Sequence, residues 1–233
     1  MAMAARTGMI MAQATETMTA AIMRTDHILI LTQWLSPAYP VGAFAYSHGL
    51  EWAVQAGDVR DRATLQDWLD TVVRFGAGWS DAVFLVAAFN AGDALQIDAQ
   101  VRAFAASCER LQETTQQGAA FASAAAAVWD KPVPPLCYPV AVGHAARMHD
   151  LPLDLTVQMF THAVMANLVS AGMRLMPLGQ SEGQRIIAAL TPVCQGVAIR
   201  ALDATLDDLT STAFIADIAA MRHETQRSRI FRT

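Results

Sequence analysis

From Asp26 onward, apolar residues recur at helical spacing, and no stretch alternates long enough to read as a strand. Asp26 to Leu35 reads as a first apolar helix and Tyr46 to Ala56 as a second, stopped at Gly57. Leu65, Trp68, Leu69, Val72 and Val73 form an amphipathic stripe, preceded by Thr64-Leu-Gln-Asp67 as a capping box. Ser80 is placed to cap the next helix, where Ala82 to Phe89 is apolar almost throughout and burial on most sides is expected. Asn90-Ala-Gly-Asp93 ends it. Ile97 to Cys108 and Leu111 to Trp129 predict a helical pair, or one long bent helix, before the break at Lys131-Pro-Val-Pro-Pro135. That break divides the chain into two helical halves but is too short to prove separate domains. Helix resumes over Tyr138 to His149, and Leu155 to Met173 reads as the core helix, ended by Pro177 and Gly179. Ser181-Glu-Gly-Gln184 is a second capping box ahead of Ile186, Ile187 and Leu190, and Thr191-Pro192 is expected to restart a helix. The last helix, Thr212 to about Glu224, is expected to bury Phe214, Ile215, Ile218 and Met221. The pattern predicts an all-α, single-domain bundle of about ten helices over residues 26–221, with 222–233 as a tail.

Between the first two helices the chain carries more apolar weight than a connector needs. Ser36-Pro-Ala-Tyr-Pro-Val-Gly-Ala-Phe-Ala-Tyr-Ser-His-Gly-Leu-Glu-Trp52 holds Pro37 and Pro40, which stop the helix, and the aromatics Tyr39, Phe44, Tyr46 and Trp52. Gly42 and Gly49 are expected to take conformations or close approaches that a Cβ would block, with Gly42 in a tight turn. On the residues alone, a buried helix–helix corner explains this stretch better than a ligand loop.

Composition narrows the function. Of 233 residues, 54% are apolar and only 16% charged, so the chain should bury much of its surface, against partners as well as itself. The net charge of −5 argues against a phosphate-backbone ligand, and so against nucleic acid. Lys131 is the one lysine, and arginine supplies every other basic side chain. Cys108, Cys137 and Cys194 lie far apart, with no CxxC, which implies reduced thiols in a cytosol. Residues 1–25 lack the compact apolar core of a signal peptide and read as a disordered extension or a start codon placed too early. Leu155 to Met173 is long enough to span a bilayer, but Thr156, Gln158, Thr161, His162, Asn167 and Ser170 surround it, which suits a protein core and not lipid.

Candidate chemistry is sparse. His144 and His149 are not an i, i+4 pair, and His48, His162 and His223 stand alone, so structural histidines are the expectation and no metal site is assigned. Ser47 and Ser181 sit at helix starts, no G-x-S-x-G elbow exists, and no Walker loop exists, so neither a catalytic group nor a cofactor is assigned. The tail differs. Arg222, His223, Glu224, Arg227, Arg229 and Arg232 interleave with Ile230 and Phe231, a mixture suited to an interface more than to a frayed end.

Three ordered segments carry a resemblance: Ser36-Pro-x-x-Pro-Val-Gly-Ala-Phe-x-Tyr-Ser-x-Gly-Leu-Glu51, Met176-Pro-Leu-Gly-Gln-Ser-Glu-Gly-Gln-Arg185, and Met221-Arg-His-Glu-Thr-Gln-Arg-Ser-Arg-Ile-Phe-Arg-Thr233. Together they resemble the urease accessory protein UreF family. The matching signature positions are Pro37, Pro40, Gly42, Phe44, Tyr46, Ser47, Gly49, Glu51, Pro177, Gly179, Gln180, Gly183 and Gln184. The resemblance implies an all-α, dimerising, cytoplasmic chaperone with no enzymatic activity. It would bind UreD (also called UreH) and recruit the GTPase UreG, so that nickel is loaded into apo-urease. It also implies partner binding by Arg222, His223, Glu224, Thr225, Gln226, Arg229, Ile230, Phe231 and Arg232. Without the resemblance, an all-α enzyme with a buried pocket that includes His162, or a helical adaptor unrelated to urease, stays open.

Overall fold

The computed structural model describes residues 25–233; the extension expected over residues 1–25 lies outside this range except for Thr25. The described part begins in helix α1 (25–34) and, after a 3₁₀ turn at Ala43–Ala45, continues through α2 (Leu50–Ala56), α3 (Arg62–Phe75) and α4 (Ala77–Asn90). Then follow α5 (Ala94–Phe104), α6 (Cys108–Trp129), α7 (Tyr138–Met148), α8 (Leu153–Leu175), α9 (Gln180–Leu202), a 3₁₀ turn at Leu206–Asp208, and α10 (Phe214–His223). No strand occurs among the described residues, and the helices pack as one bundle, as the periodicity predicts.

The centre is α4, where the sequence reading placed α8. Its run from Gly78 to Val86 is buried, and α3, α7, α8 and α9 all pack on it. Gly143 brings α7 down onto its backbone: a Cβ there would lie 2.3 Å from the Leu85 carbonyl oxygen. Helix α8 buries Val157, Phe160, Met165, Leu168 and Val169, while Thr156 and Thr161 return their hydroxyls to the Pro152 and Val157 carbonyls. Its other side, with Gln158, His162 and Ser170, lines a groove. Two stretches are long and apolar enough to cross a membrane by length and composition, and Leu155 to Met173 is not among them. One is α3 with α4, broken at Gly76 and 72% buried in its apolar window; the other is α9, 33% buried.

Local boundaries show where the competing physics lies. Helix α3 is capped one turn earlier than expected, by Asp61, whose carboxylate accepts from the Thr64 amide at 2.9 Å. Ser80 is not a cap; it lies buried inside α4, which starts behind Gly76. At α9, Glu182 takes the role expected of Gln184, accepting from the Gly179 amide at 3.1 Å. Pro192 does not restart a helix: α9 runs through it unbroken, with the ring on the exposed side, where the carbonyl it leaves unpaired can meet water. The proline-rich segment does not separate domains. Val133 and Leu136 are buried, and Lys131 Nζ donates to the Met148 carbonyl at 2.6 Å.

Helix α10 departs most from expectation. Phe214, Ile215, Ile218 and Met221 are exposed, and Ala219 and His223 are the buried side chains. The cause is Gly49, at which a Cβ would stand 2.4 Å from the Ala220 nitrogen. Backbone at that separation admits only the small side of α10, so its large apolar residues turn outward.

Candidate functional site: a corner and a strap

The corner leaves α1 beside fully buried Trp34, and Tyr39, Val41 and Tyr46 follow it into the core. Phe44 does not; it is 69% exposed. Pro37 and Pro40 are exposed and shape the turn, while burial pushes the Tyr39 phenol up to about 12. Gly42 holds a left-handed backbone at φ 72°, but a Cβ there would meet nothing within 4 Å, so the expected crowding is absent. The crowding belongs to Gly49, also left-handed at φ 74°.

Residues 224–233 form a strap that returns across this corner. The Arg232 amide donates to the Ala45 carbonyl at 2.8 Å, and the Ser47 amide donates to the Thr233 carbonyl at 2.8 Å, joined by the Ser47 hydroxyl. Ser47 is therefore an anchor for the strap. Glu51, 6% exposed, receives the Ile230 amide on Oε1 at 2.7 Å and the Phe231 amide on Oε2 at 2.8 Å. Such bonds to an ionised carboxylate are about twice as strong as neutral ones. Beneath them His223 is fully buried, its Nδ1 2.6 Å from Glu109 and its Nε2 3.3 Å from Glu51. Arg229 reaches Glu109 from outside, and Glu224 caps α6 by accepting from the Cys108 amide at 2.7 Å. Thr225 bonds back to the Arg222 carbonyl in α10, and Gln226 bonds within the strap, to the Ser228 carbonyl.

One layer deeper, Glu113 accepts from Gln117 at 2.9 Å, lies 2.8 Å from His48 Nε2, and receives the Thr233 hydroxyl at 3.3 Å. Arg110 bridges Glu113 and Asp81. Burial alone would raise the Glu113 carboxyl, but His48, Arg110 and the hydrogen bonds it accepts outweigh burial and hold it below its ordinary value. Burial wins at Asp81, which is pushed up despite Arg110. Every carboxylate here is engaged in tying chain to chain. Among the described residues no group of three or more His, Cys, Asp or Glu side chains is arranged to hold a metal ion. Cys137 and Cys194 are buried, and burial lifts both thiols to about 12, out of reach of thiolate chemistry near neutral pH.

Sequence-predicted residues thus divide. Glu51, Ser47, Tyr46 and Gly49 meet the strap or the helix before it, and His223 and Phe231 are internal to the same assembly. Phe231 is 3% exposed, with the Arg174 guanidinium 4.3 Å from its ring centroid. Arg222, Glu224, Thr225, Arg229, Ile230 and Arg232 stay exposed, and Gln226 is half-buried. Pro177, Gly179, Gln180, Gly183 and Gln184 stand apart, at the α8–α9 turn. They are linked to the corner through Arg174, which bonds the Phe44 carbonyl, and through a groove of about 810 Å³ lined by both Phe44 and Gln184. Glu109, Arg110, Glu113 and Arg174 were not singled out from sequence. Their partners lie far away along the chain, and only the acidic pair at i, i+4 on α6, beside a basic residue, hinted at them.

A corner clamped by a returning strap, with its charged groups bound to one another, defines an all-α bundle whose polar clusters serve to hold chain to chain. The UreF family model matches residues 59–191. The chain is 56% identical to the urease accessory protein UreF of Roseobacter denitrificans over 214 residues, 91% of this chain and 96% of that one. It is 57% identical to the urease accessory protein UreF of Ruegeria pomeroyi over 88% of this chain and 96% of that one. The chain belongs to the UreF family of urease accessory proteins, which are not catalysts.

Proposed function

We propose that this chain is a cytoplasmic scaffold in urease maturation. It binds UreD (UreH) through the outer surface of its strap, recruits the GTPase UreG, works as a homodimer, and so supports nickel insertion into apo-urease. One observation carries the reading. The strap is held by its backbone, at Glu51, Ser47 and Ala45, and by Arg229 on Glu109, Glu224 on the α6 amides and Arg232 on Tyr46, which leaves Ile230 and Arg227 facing outward uncommitted to the fold. Ile230 is 66% exposed beside Arg232 and Arg227. An exposed apolar residue among arginines on a rigid segment fits an interface anchor. His223 and Phe231 then serve the partner indirectly, by fixing the strap from within.

The test is co-purification with UreD. Ile230→Asp combined with Arg227→Glu is expected to abolish co-purification while circular dichroism and melting temperature stay those of the wild type. Undiminished co-purification would place UreD elsewhere. Phe231→Ala is the contrasting control: it should lower stability by about 3 kcal/mol as a core truncation, whatever it does to the partner.

A further inference from the structure

His223 is the last residue of α10 before the strap, and it is fully buried with a carboxylate against each ring nitrogen. Its Nδ1 lies 2.6 Å from Glu109 Oε2 on α6, and its Nε2 lies 3.3 Å from Glu51 Oε2 on α2. A neutral imidazole carries one N–H and one lone pair, so it can donate to only one of these carboxylates. The shorter contact claims that proton for Glu109. The lone pair on Nε2 would then face an oxygen of Glu51 at a buried site, where no solvent separates the two. The second contact therefore needs a second proton, carried by the ring as imidazolium or by Glu51 as the acid. Either way, one titratable proton lies between Nε2 and Oε2.

The strap depends on the same carboxylate. Glu51 Oε2 accepts the Phe231 amide at 2.8 Å, and Oε1 accepts the Ile230 amide at 2.7 Å. The charged groups around His223 are Glu51 from α2, Glu109 from α6 and, from the strap, Arg229, which is engaged at Oε1 of Glu109. Glu224, next along the chain, turns to the Cys108 and Glu109 amides, Arg222 is exposed, and the corner meets α10 through the backbone at Gly49. His48 forms a separate pair with Glu113, 2.8 Å away and one layer deeper. That pair reaches only the last residue of the strap, through the Thr233 hydroxyl on Glu113.

We infer that the strap is a proton-dependent latch, closed on Glu51 while a proton is shared between His223 and Glu51 and loosened when that proton leaves. An open strap parts the two groups and lets water reach them, so the closed strap holds one proton more than the open one. Closure is therefore favoured at low pH and lost as pH rises and the shared proton titrates away. Lone pair and carboxylate then repel, Glu51 shifts, and the Ile230 and Phe231 amides lose their charge-assisted bonds. The backbone bonds of Arg232 to Ala45 and of Ser47 to Thr233 carry no titrating group, so release begins at Ile230 and Phe231. The latch is a property of the chain alone and stands whether or not the strap carries UreD.

The experiment is amide exchange of the full chain alone, from about pH 5 to about pH 9, read as protection so that the intrinsic pH dependence of exchange is divided out. Above the titration, protection at Ile230 and Phe231 is expected to fall about tenfold per pH unit, the slope of a single proton, while the α4 amides hold theirs. His223→Gln keeps a donor for one carboxylate but does not titrate, and its strap should show no pH step. His48→Gln should keep the step. In the wild type, the ring carbon protons of His223, followed by magnetic resonance, should titrate with the same midpoint as the strap. Protection at Ile230 and Phe231 that stays level in the wild type would overturn the inference. So would a step that survives in His223→Gln, or a strap that opens at a pH where the His223 ring does not titrate. The ring titration needs no variant, so it decides even where His223→Gln fails to fold.

Discussion

Gly42 and Gly49 hold nearly the same left-handed conformation, at φ 72° and 74°, in entirely different surroundings. Alanine at Gly42 faces open space and meets only the backbone penalty, about 1 kcal/mol. Alanine at Gly49 meets that penalty and also the main chain of α10, with contacts of 2.4 to 2.8 Å at Ala219 and Ala220. Backbone atoms in the middle of a helix do not move aside, so the cost should reach about 3 kcal/mol or more. Urea unfolding of the two variants checks the difference. Equal midpoints would mean that α10 is not pressed against the corner. The distinction was invisible in the sequence, where both glycines sit among aromatics and prolines. Left-handed φ is a local property that turn residues announce, whereas the approach of a helix from 170 residues further along the chain is not.

At the scale of elements, sequence pattern located nearly every helix and failed on orientation. Periodicity finds an apolar stripe, and α3 shows it well: Leu65, Leu69, Val72 and Val73 are buried as expected. In α10 periodicity assigns the larger apolar side to the interior, but the close approach at Gly49 selects for size, and alanines win the interior. Pro192 misled for a related reason, because a proline on the exposed side of a long packed helix costs less than breaking the helix would. The strap's attachment was equally illegible. Glu109 and His223 are 114 residues apart, and nothing local says that a carboxylate on α6 awaits an imidazole on α10. Glu51 is the residue on which this attachment turns. In Glu51→Gln the remaining oxygen cannot serve both strap amides and His223, and an NH₂ group would face donors. Exchange of the Ile230 and Phe231 amides is expected to accelerate by about tenfold to a hundredfold, as charge-assisted bonds are lost. The α4 amides should be unaffected. Unchanged exchange at Ile230 and Phe231 would mean that the Ser47 and Ala45 bonds hold the strap without Glu51.

Over the whole molecule, the tail is both the end of the chain and part of its core. Sequence composition marks it as an interface, and on that basis removal of 222–233 should leave a folded domain anchored by Phe214, Ile215 and Ile218. Those residues are solvent-facing, so the anchor is not there. The anchors are His223, fully buried between Glu51 and Glu109, and Phe231, enclosed beneath Arg174. A chain cut after Met221 loses both and leaves the Glu51 and Glu109 carboxylates without those partners in a site built to exclude water. Loss of Phe231 alone corresponds to about 3–5 kcal/mol, and a buried carboxylate stripped of its partners adds to that. For a domain whose total stability is typically about 5–15 kcal/mol, the truncation should lower the melting temperature markedly and loosen α2 and α10 together. Thermal melts followed by circular dichroism, with amide exchange at α2, test this. A truncated chain that melts with the wild type would show that the strap is an accessory laid on a finished fold. A truncated chain that melts early would explain loss of any partner through loss of the surface that presents it, which is why the Ile230 and Arg227 substitutions, and not the deletion, isolate binding.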